Sequence, residues 1–172
     1  MQPNRKYVIF SIAFVISLAL DQASKIWARA SLRGHTPIVV IKNFFDFHYS
    51  ENPGSAFGLF RSTPYARELL FAVGLVALVV ILVFLHRSPM GRWRLSAELG
   101  MLGGGAVGNI VDRVLYGRVT DFIQWKIHQY EWPVFNIADA ALVVGVIGLL
   151  FDAKPEDVSK PAPQPTTPVE EK

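Results

Sequence analysis

Apolar residues dominate four stretches of this chain, and polar segments separate them. The run Tyr7–Leu20 is apolar apart from two serines, and apolar residues continue at the spacing of one helix face as far as Ala30. Leu69–Leu85 contains no charged residue, and its length suits one bilayer crossing, which takes about 20 helical residues. A glycine-rich stretch begins at Leu95 and a last apolar stretch at Val134. The pattern predicts four membrane helices, over about residues 7–30, 67–86, 95–114 and 134–151.

The first apolar run has a second interpretation, as a cleaved signal peptide. It follows a basic start and precedes Ala28-Arg29-Ala30, which is similar to a cleavage site. Its apolar helical face nevertheless continues beyond Leu20. We therefore favour a retained membrane helix.

The segment of residues 31–64 changes character, because it is rich in β-branched and aromatic residues and alternates at Phe45–Ser50. This favours short strands outside the bilayer. Asn52-Pro53-Gly54 has turn chemistry, so residues 52–60 are either a mobile cover or an ordinary turn. We expect residues 1–151 to form one membrane-embedded domain, and the charged, proline-rich residues 152–172 to be a disordered cytoplasmic tail.

Composition supports the membrane class. With 172 residues, 51% hydrophobic content, 18% charged content and a mean hydropathy of +0.31, the chain is too apolar for an ordinary soluble domain. A net charge of +3, with scattered basic residues, argues against a nucleic-acid partner. The absence of cysteine excludes thiol chemistry, and the four histidines lack metal-ligand spacing, so we expect no metal and no other cofactor.

Basic residues in short loops predict the orientation. Three arginines lie in the loop between the second and third helices, and Arg5 and Lys6 precede the first helix, which places both regions in the cytoplasm. With an even number of helices, both termini are predicted to be cytoplasmic. The strand-like segment and the connector after the third helix would then lie on the outer face.

Asp121 and Asp139 lie on either side of this aromatic-rich connector, and neither has a cation at helical spacing. Ionisable groups in membrane segments are costly and indicate a functional site. Asp139 would lie only about 8 Å into the fourth helix. Two carboxyls held close together share a proton, so one can activate water while the other polarises a carbonyl or a leaving group. Such a pair would perform aspartic-protease chemistry without a metal.

Other polar residues in the helices have structural and functional interpretations. Asp21 and Lys25 form an i,i+4 pair that either steadies the first helix or faces a substrate. Asn109, Asp112 and Arg113 end the third helix, and we expect Asp112 and Arg113 to bond to another helix or loop, as bracing or as part of a site. Asn136 lies three residues before Asp139 and can orient its carboxyl. Glycines in the third helix predict close helix packing: Gly103, Gly104, Gly105 and Gly108.

Two other classes of protein remain. A small transporter or proton-relay subunit would use its membrane carboxylates as a polar path, but Leu142–Phe151 offers no polar side chain to continue that path inward. A structural or assembly protein would leave Asp121 and Asp139 without a role.

Five motifs together resemble the bacterial lipoprotein signal peptidases, or type II signal peptidases. They are DQASK at 21–25, NPGSAFG at 52–58, GGAVGNIVDR at 104–113, GRVTDFI at 117–123 and FNIADAA at 135–141. Their order and spacing match those of the family across nearly the whole chain. The resemblance implies an all-α membrane protein of four transmembrane helices with a small extracytoplasmic β-cradle, located in the bacterial inner membrane.

The implied activity is that of an aspartyl endopeptidase with its active site near the outer face. It would remove the signal peptide from prolipoproteins that carry diacylglyceryl on a cysteine, cutting on the N-terminal side of that cysteine. Asp121 and Asp139 match the catalytic pair. Implied partners are these substrates, membrane lipid and globomycin-type inhibitors, and we expect a monomer. Further matched positions shape or support the site: Asp21, Lys25, Asn52, Gly54, Gly108, Asn109, Asp112, Arg113, Phe135, Asn136 and Ala138.

Overall fold

The computed structural model of the chain describes residues 5–54 and 65–152, and most of them are helical. The helices are α1 (Arg5–Ser31), α2 (Ala66–Arg87), α3 (Trp93–Tyr116) and α4 (Ile137–Asp152). The strands are β1 (Ile38–Ile41), β2 (Phe45–Asn52), β3 (Val119–Ile127) and β4 (Tyr130–Glu131), and they form an antiparallel sheet in the order β1-β2-β3-β4. The fold is therefore mostly helical with one small sheet.

Three of the helices lie within two residues of their predicted bounds, but α4 starts three residues later than predicted. The reason is local, because Phe135 exchanges backbone hydrogen bonds with Ile123 of β3 at 2.8 and 3.0 Å and so belongs to the sheet edge. Among the described residues, α1 and α2 are long and apolar enough to cross a membrane by length and composition. The predictions for residues 55–60 as a cover and 153–172 as a tail concern residues outside the described ranges.

Helix α3 is the centre of the bundle, and glycines let its neighbours approach. A Cβ at Gly104 would lie 2.6 Å from the carbonyl oxygen of Phe14 in α1. A Cβ at Gly105 would lie 2.6 Å from the carbonyl oxygen of Ala138 in α4. Any larger residue would push these helices apart, so the prediction that these glycines serve packing is confirmed.

The sheet packs on the last turns of α1. Ala28 and Leu32 are buried against Phe122 of β3, and the ring of Trp27 meets the ring of Phe47 edge-on at 5.0 Å. The pairing of β2 with β3 changes register between Phe47 and Ser50. Because of this packing, the start of β3 lies directly beside α1 and α3.

Candidate active site

The first turn of α4 holds the carboxylate of Asp139 in a reciprocal capping arrangement. The backbone N–H of Asp139 donates to Oδ1 of Asn136 at 2.9 Å, and the backbone N–H of Asn136 donates to Oδ2 of Asp139 at 3.3 Å. This pattern satisfies donors at a helix start that would otherwise lack partners. The carboxylate is thereby fixed at the end of the helix where the dipole favours a negative charge.

Helix α1 supplies a further cap to the same turn. Oδ1 of Asp21 accepts the backbone N–H of Ala138 at 2.9 Å, and both residues are fully buried. Gly108 of α3 leaves room for this contact, because a Cβ there would collide with the Asp21 carboxylate. The position of Asp139 therefore depends on α1 and α3 as well as on its own helix.

Asp121 reaches the same place from β3. Its Oδ1 accepts a hydrogen bond from Nδ2 of Asn136 at 2.6 Å, and its Oδ2 accepts one from Nδ2 of Asn52 at 3.3 Å. Asn52 ends β2, and its own side-chain oxygen accepts the backbone N–H of Gly54 at 3.1 Å. The turn at residues 52–54 thus orients a donor toward Asp121.

Asn136 links Asp121 to Asp139. Asn136 is fully buried; it donates to Asp121 through Nδ2 and accepts the Asp139 backbone N–H through Oδ1. Asn109 of α3 adds a second link, because its Nδ2 donates to Oδ1 of Asp139 at 2.8 Å while its Oδ1 accepts from Asn136 at 3.2 Å. The structure therefore brings Asp121 and Asp139 to one site.

The charge of Asp121 is poorly compensated. Burial raises the pKa of its carboxyl to about 7, with a further contribution from the nearby Asp139, while hydrogen bonds from Asn136 and Asn52 act in the opposite direction. Among the residues that the structure describes, neither Asp121 nor Asp139 takes part in an ion pair. A carboxyl with this pKa can hold or release a proton near neutral pH.

The remaining buried acids next to this site are neutralised. The Nζ atom of Lys25 lies 2.9 Å from Oδ2 of Asp21 and 3.5 Å from Oδ2 of Asp112, and all three side chains are fully buried. Arg29 adds a second cation, 3.4 Å from Oδ1 of Asp112. We call these four residues the ion cluster. Because they are buried and paired, the structural interpretation of Asp21 and Lys25 is favoured over contact with a substrate.

The ion cluster and the carboxylates meet at Asn109, whose Oδ1 also accepts a hydrogen bond from Lys25 at 3.0 Å. Asp112 bonds to other elements, as predicted. Arg113 donates instead to the carbonyl of Asn109 in its own helix at 3.1 Å, because the two lie one turn apart. It interacts electrostatically with Asp139 and Asp121. Phe135 faces the sheet, where its ring meets that of Trp125 at 5.1 Å.

The sequence analysis missed two charged residues, Arg29 at this site and Glu98 near the other end of α3. Arg29 donates to Thr120, the residue before Asp121, at 2.9 Å. Its partners lie far along the chain, so no local spacing could identify them. Glu98 of α3 is buried against Gly148, and its Oε2 atom has no hydrogen-bond partner among the described residues. An acid within the mostly apolar stretch of residues 95–108 was the available signal for Glu98.

Known proteins match most of this chain. A protein named lipoprotein signal peptidase from Xanthomonas campestris pv. campestris is 39% identical over 161 residues, which cover 89% of this chain and 95% of that protein. A protein of the same name from Xylella fastidiosa strain M12 is 39% identical over 153 residues, covering 86% and 90%. The solved structure of a bacterial membrane enzyme, determined by the in meso method at 2.3 Å resolution, has a TM-score of 0.74 at 28% identity, over 82% of this chain and 84% of that one.

The match to the family extends through all the elements that build the site. Residues 13–154 match the family described as signal peptidase (SPase) II. This range includes the Asp21 cap, the strand carrying Asp121 and the helix carrying Asp139. On these grounds, the chain belongs to the signal peptidase II family of membrane peptidases.

Proposed function

We propose that this protein is an aspartyl endopeptidase that removes signal peptides from diacylglyceryl-modified prolipoproteins, cutting on the N-terminal side of the lipidated cysteine. The observation that carries the proposal is the shared contact of Asp121 and Asp139 with Asn136. Membership of the family and the names of the relatives supply the class of substrate. The relatives described above are named as peptidases, which does not favour the alternative function of a transporter.

The mechanism requires one proton shared by the two carboxyls. The raised pKa of Asp121 favours a singly protonated pair near neutral pH. The ionised carboxylate accepts a proton from water as that water attacks the scissile carbonyl, while the protonated carboxyl donates its proton to the carbonyl oxygen. As the C–N bond breaks, the proton taken from water passes to the leaving amine, and a hydroxyl proton of the intermediate returns to the other carboxylate. Hydrogen bonds from Asn136, Asn109 and Asn52 hold both groups in place, which lowers the cost of aligning them with the substrate.

The proposed topology has all four helices spanning the bacterial inner membrane, with both termini in the cytoplasm. Lys6 donates to the carbonyls of His86 and Ser88 at 2.9 and 2.8 Å, so the start of α1 and the end of α2 share one end of the bundle. Residues 87–94, which join α2 to α3 and include three arginines, lie at that end, and this supports placing it in the cytoplasm. The sheet and the carboxylates would lie at the outer boundary, where a lipid-anchored substrate presents its cleavage site.

Cleavage of a lipidated prolipoprotein by the purified protein in detergent tests this proposal. We expect the wild-type protein to release the signal peptide, and Asp121→Asn and Asp139→Asn each to reduce the rate by at least about a thousandfold, since each removes a required proton carrier. The same precursor without its diacylglyceryl group is the substrate control. A globomycin-type inhibitor should compete with the substrate. Full activity in either Asp→Asn variant would contradict the assignment of the pair.

A further inference from the structure

Thr120 is held at two points by groups from two different helices. Its backbone N–H donates to Oδ2 of Asp112 in α3 at 2.9 Å. Its side-chain Oγ1 accepts from Nη1 of Arg29 in α1 at 2.9 Å. Thr120 is almost wholly buried and directly precedes Asp121, so movement of one displaces the other.

Arg29 is itself restrained. Its guanidinium lies 4.3 Å from the centre of the Tyr116 ring, and its Nη1 atom lies 3.4 Å from Oδ1 of Asp112. The side chain is only 15% exposed. A planar guanidinium can contact a carboxylate, a hydroxyl and an aromatic face together, which the ammonium group of lysine cannot do equally well.

Arg29 also balances the charge of its surroundings. Asp21 and Asp112 carry two negative charges, and Lys25 supplies one positive charge between them. The second positive charge comes from Arg29. Without Arg29, the buried cluster that contains Asp112 would carry an excess negative charge. Such a charge is unfavourable and would promote rearrangement of Asp112, which accepts the Thr120 N–H.

We propose, on the basis of the function proposed above, that Arg29 is a positioning residue that fixes Asp121 relative to Asp139 by anchoring Thr120. Asp112 holds the backbone of Thr120 and Arg29 holds its side chain. The two contacts set where β3 begins and therefore where the carboxyl of Asp121 lies. Arg29 forms an ion pair with neither Asp121 nor Asp139; it acts on Asp121 through Thr120 and through Asp112, which holds the Thr120 backbone.

A double-mutant cycle with Arg29→Gln and Thr120→Val tests this inference, using the cleavage assay with a lipidated prolipoprotein. Both variants delete the hydrogen bond between Arg29 and Thr120, and Arg29→Gln also removes the cation beside Asp112. We expect each to lower kcat about tenfold, because small displacements of a reacting group have large effects on rate, while KM stays within about twofold. The double variant should be no slower than the slower of the two single variants.

Three further variants separate positioning from general stability. Thr120→Ser keeps the hydroxyl and should retain the wild-type kcat, and Arg29→Lys keeps the charge and should be intermediate. Arg33→Gln is the matched control, because Arg33 follows the same helix but pairs with Glu51 at the surface. It should leave kcat unchanged.

Wild-type kcat in Arg29→Gln, a hundredfold loss in the double variant, or equal losses in Thr120→Ser and Thr120→Val would each overturn the inference while leaving the proposed function intact. If Arg29→Gln does not fold, the pair Thr120→Val and Thr120→Ser still decides the outcome. Failure of the wild-type protein to cleave the lipidated precursor, when that precursor is cleaved by an established signal peptidase II, would instead refute the proposed function and the inference with it.

Discussion

Two groups of buried acids lie on either side of Asn109, and they differ in the kind of partner that each carboxylate has. Asp21 and Asp112 are paired with Lys25 and Arg29 at distances of 2.9–3.5 Å. Asp121 and Asp139 receive hydrogen bonds from neutral amides instead. An ion pair compensates the charge of a carboxylate, whereas neutral amides orient a carboxyl without supplying an opposite charge. The first group is therefore suited to holding the helices together and the second to chemistry.

The largest expected effect is on the paired group. Lys25→Met should destabilise the protein by about 3–5 kcal/mol, because it leaves Asp21 and Asp112 buried with only one cation between them. The measurement is unfolding of the purified protein by denaturing detergent, with Asp121→Asn as the comparison. If Lys25→Met is as stable as wild type, the ion cluster is not a structural support.

The next effect concerns Asn136, which links the two residues of the proposed catalytic pair. Asn136→Ser keeps an oxygen that can cap α4 but loses the donor to Asp121, so we expect activity to fall about a hundredfold with stability nearly unchanged. Asn136→Ala loses the cap as well and should cost about 1 kcal/mol more in stability. Rates and melting temperatures of both variants provide the test. Equal activity of Asn136→Ser and wild type would show that the link is dispensable.

The pH profile should distinguish the two groups directly. Since the pKa of Asp121 is raised to about 7, activity should fall about tenfold per pH unit above that value, as the shared proton is lost. The same shift gives the folded state more bound protons than the unfolded state between about pH 4 and 7, so this group lowers stability as pH rises through that window. Asp121→Asn should remove this part of the pH dependence of stability, measured by unfolding at several pH values. An unchanged stability profile would contradict the raised pKa of Asp121.

The smallest effect should come from an ion pair at the surface. Arg33 lies 3.4 Å from Glu51 but is 65% exposed, so Arg33→Gln should change stability by less than about 0.5 kcal/mol. Thermal melting alongside Lys25→Met measures the contrast. A loss of stability as large as that of Lys25→Met would mean that an ion pair stabilises the protein to the same extent whether it is buried or exposed.

Local spacing allowed some of these contacts to be predicted. The i,i+4 spacing of Asp21 and Lys25 and the i,i+3 spacing of Asn136 and Asp139 both correspond to direct contacts. The glycines of α3 indicated close helix packing, which Gly104 and Gly105 confirm. Helical periodicity determines which residues of one helix share a face, so contacts of this kind can be predicted from a single segment.

Contacts between distant segments could not be predicted in the same way. Nothing near Arg29 in the sequence indicates that it meets Thr120, which is 91 residues away. The pairing of β2 with β3 depends on a register change and on packing against α1. The late start of α4 depends on the hydrogen bonds of Phe135 to Ile123. Each of these features arises from tertiary packing, which overrides local preference.

The cap that Asp21 places on Ala138 links the first helix of the chain to the last. During synthesis α1 emerges before α4, so the partner of Asp21 in its own helix, Lys25, is present before Ala138. Asp139 receives its fixed position only when that segment docks, since Asn109, Asn136 and the Asp21 cap all define its surroundings. If Asp139 has the proposed catalytic role, peptidase activity requires the docking of α4 and therefore the completed bundle.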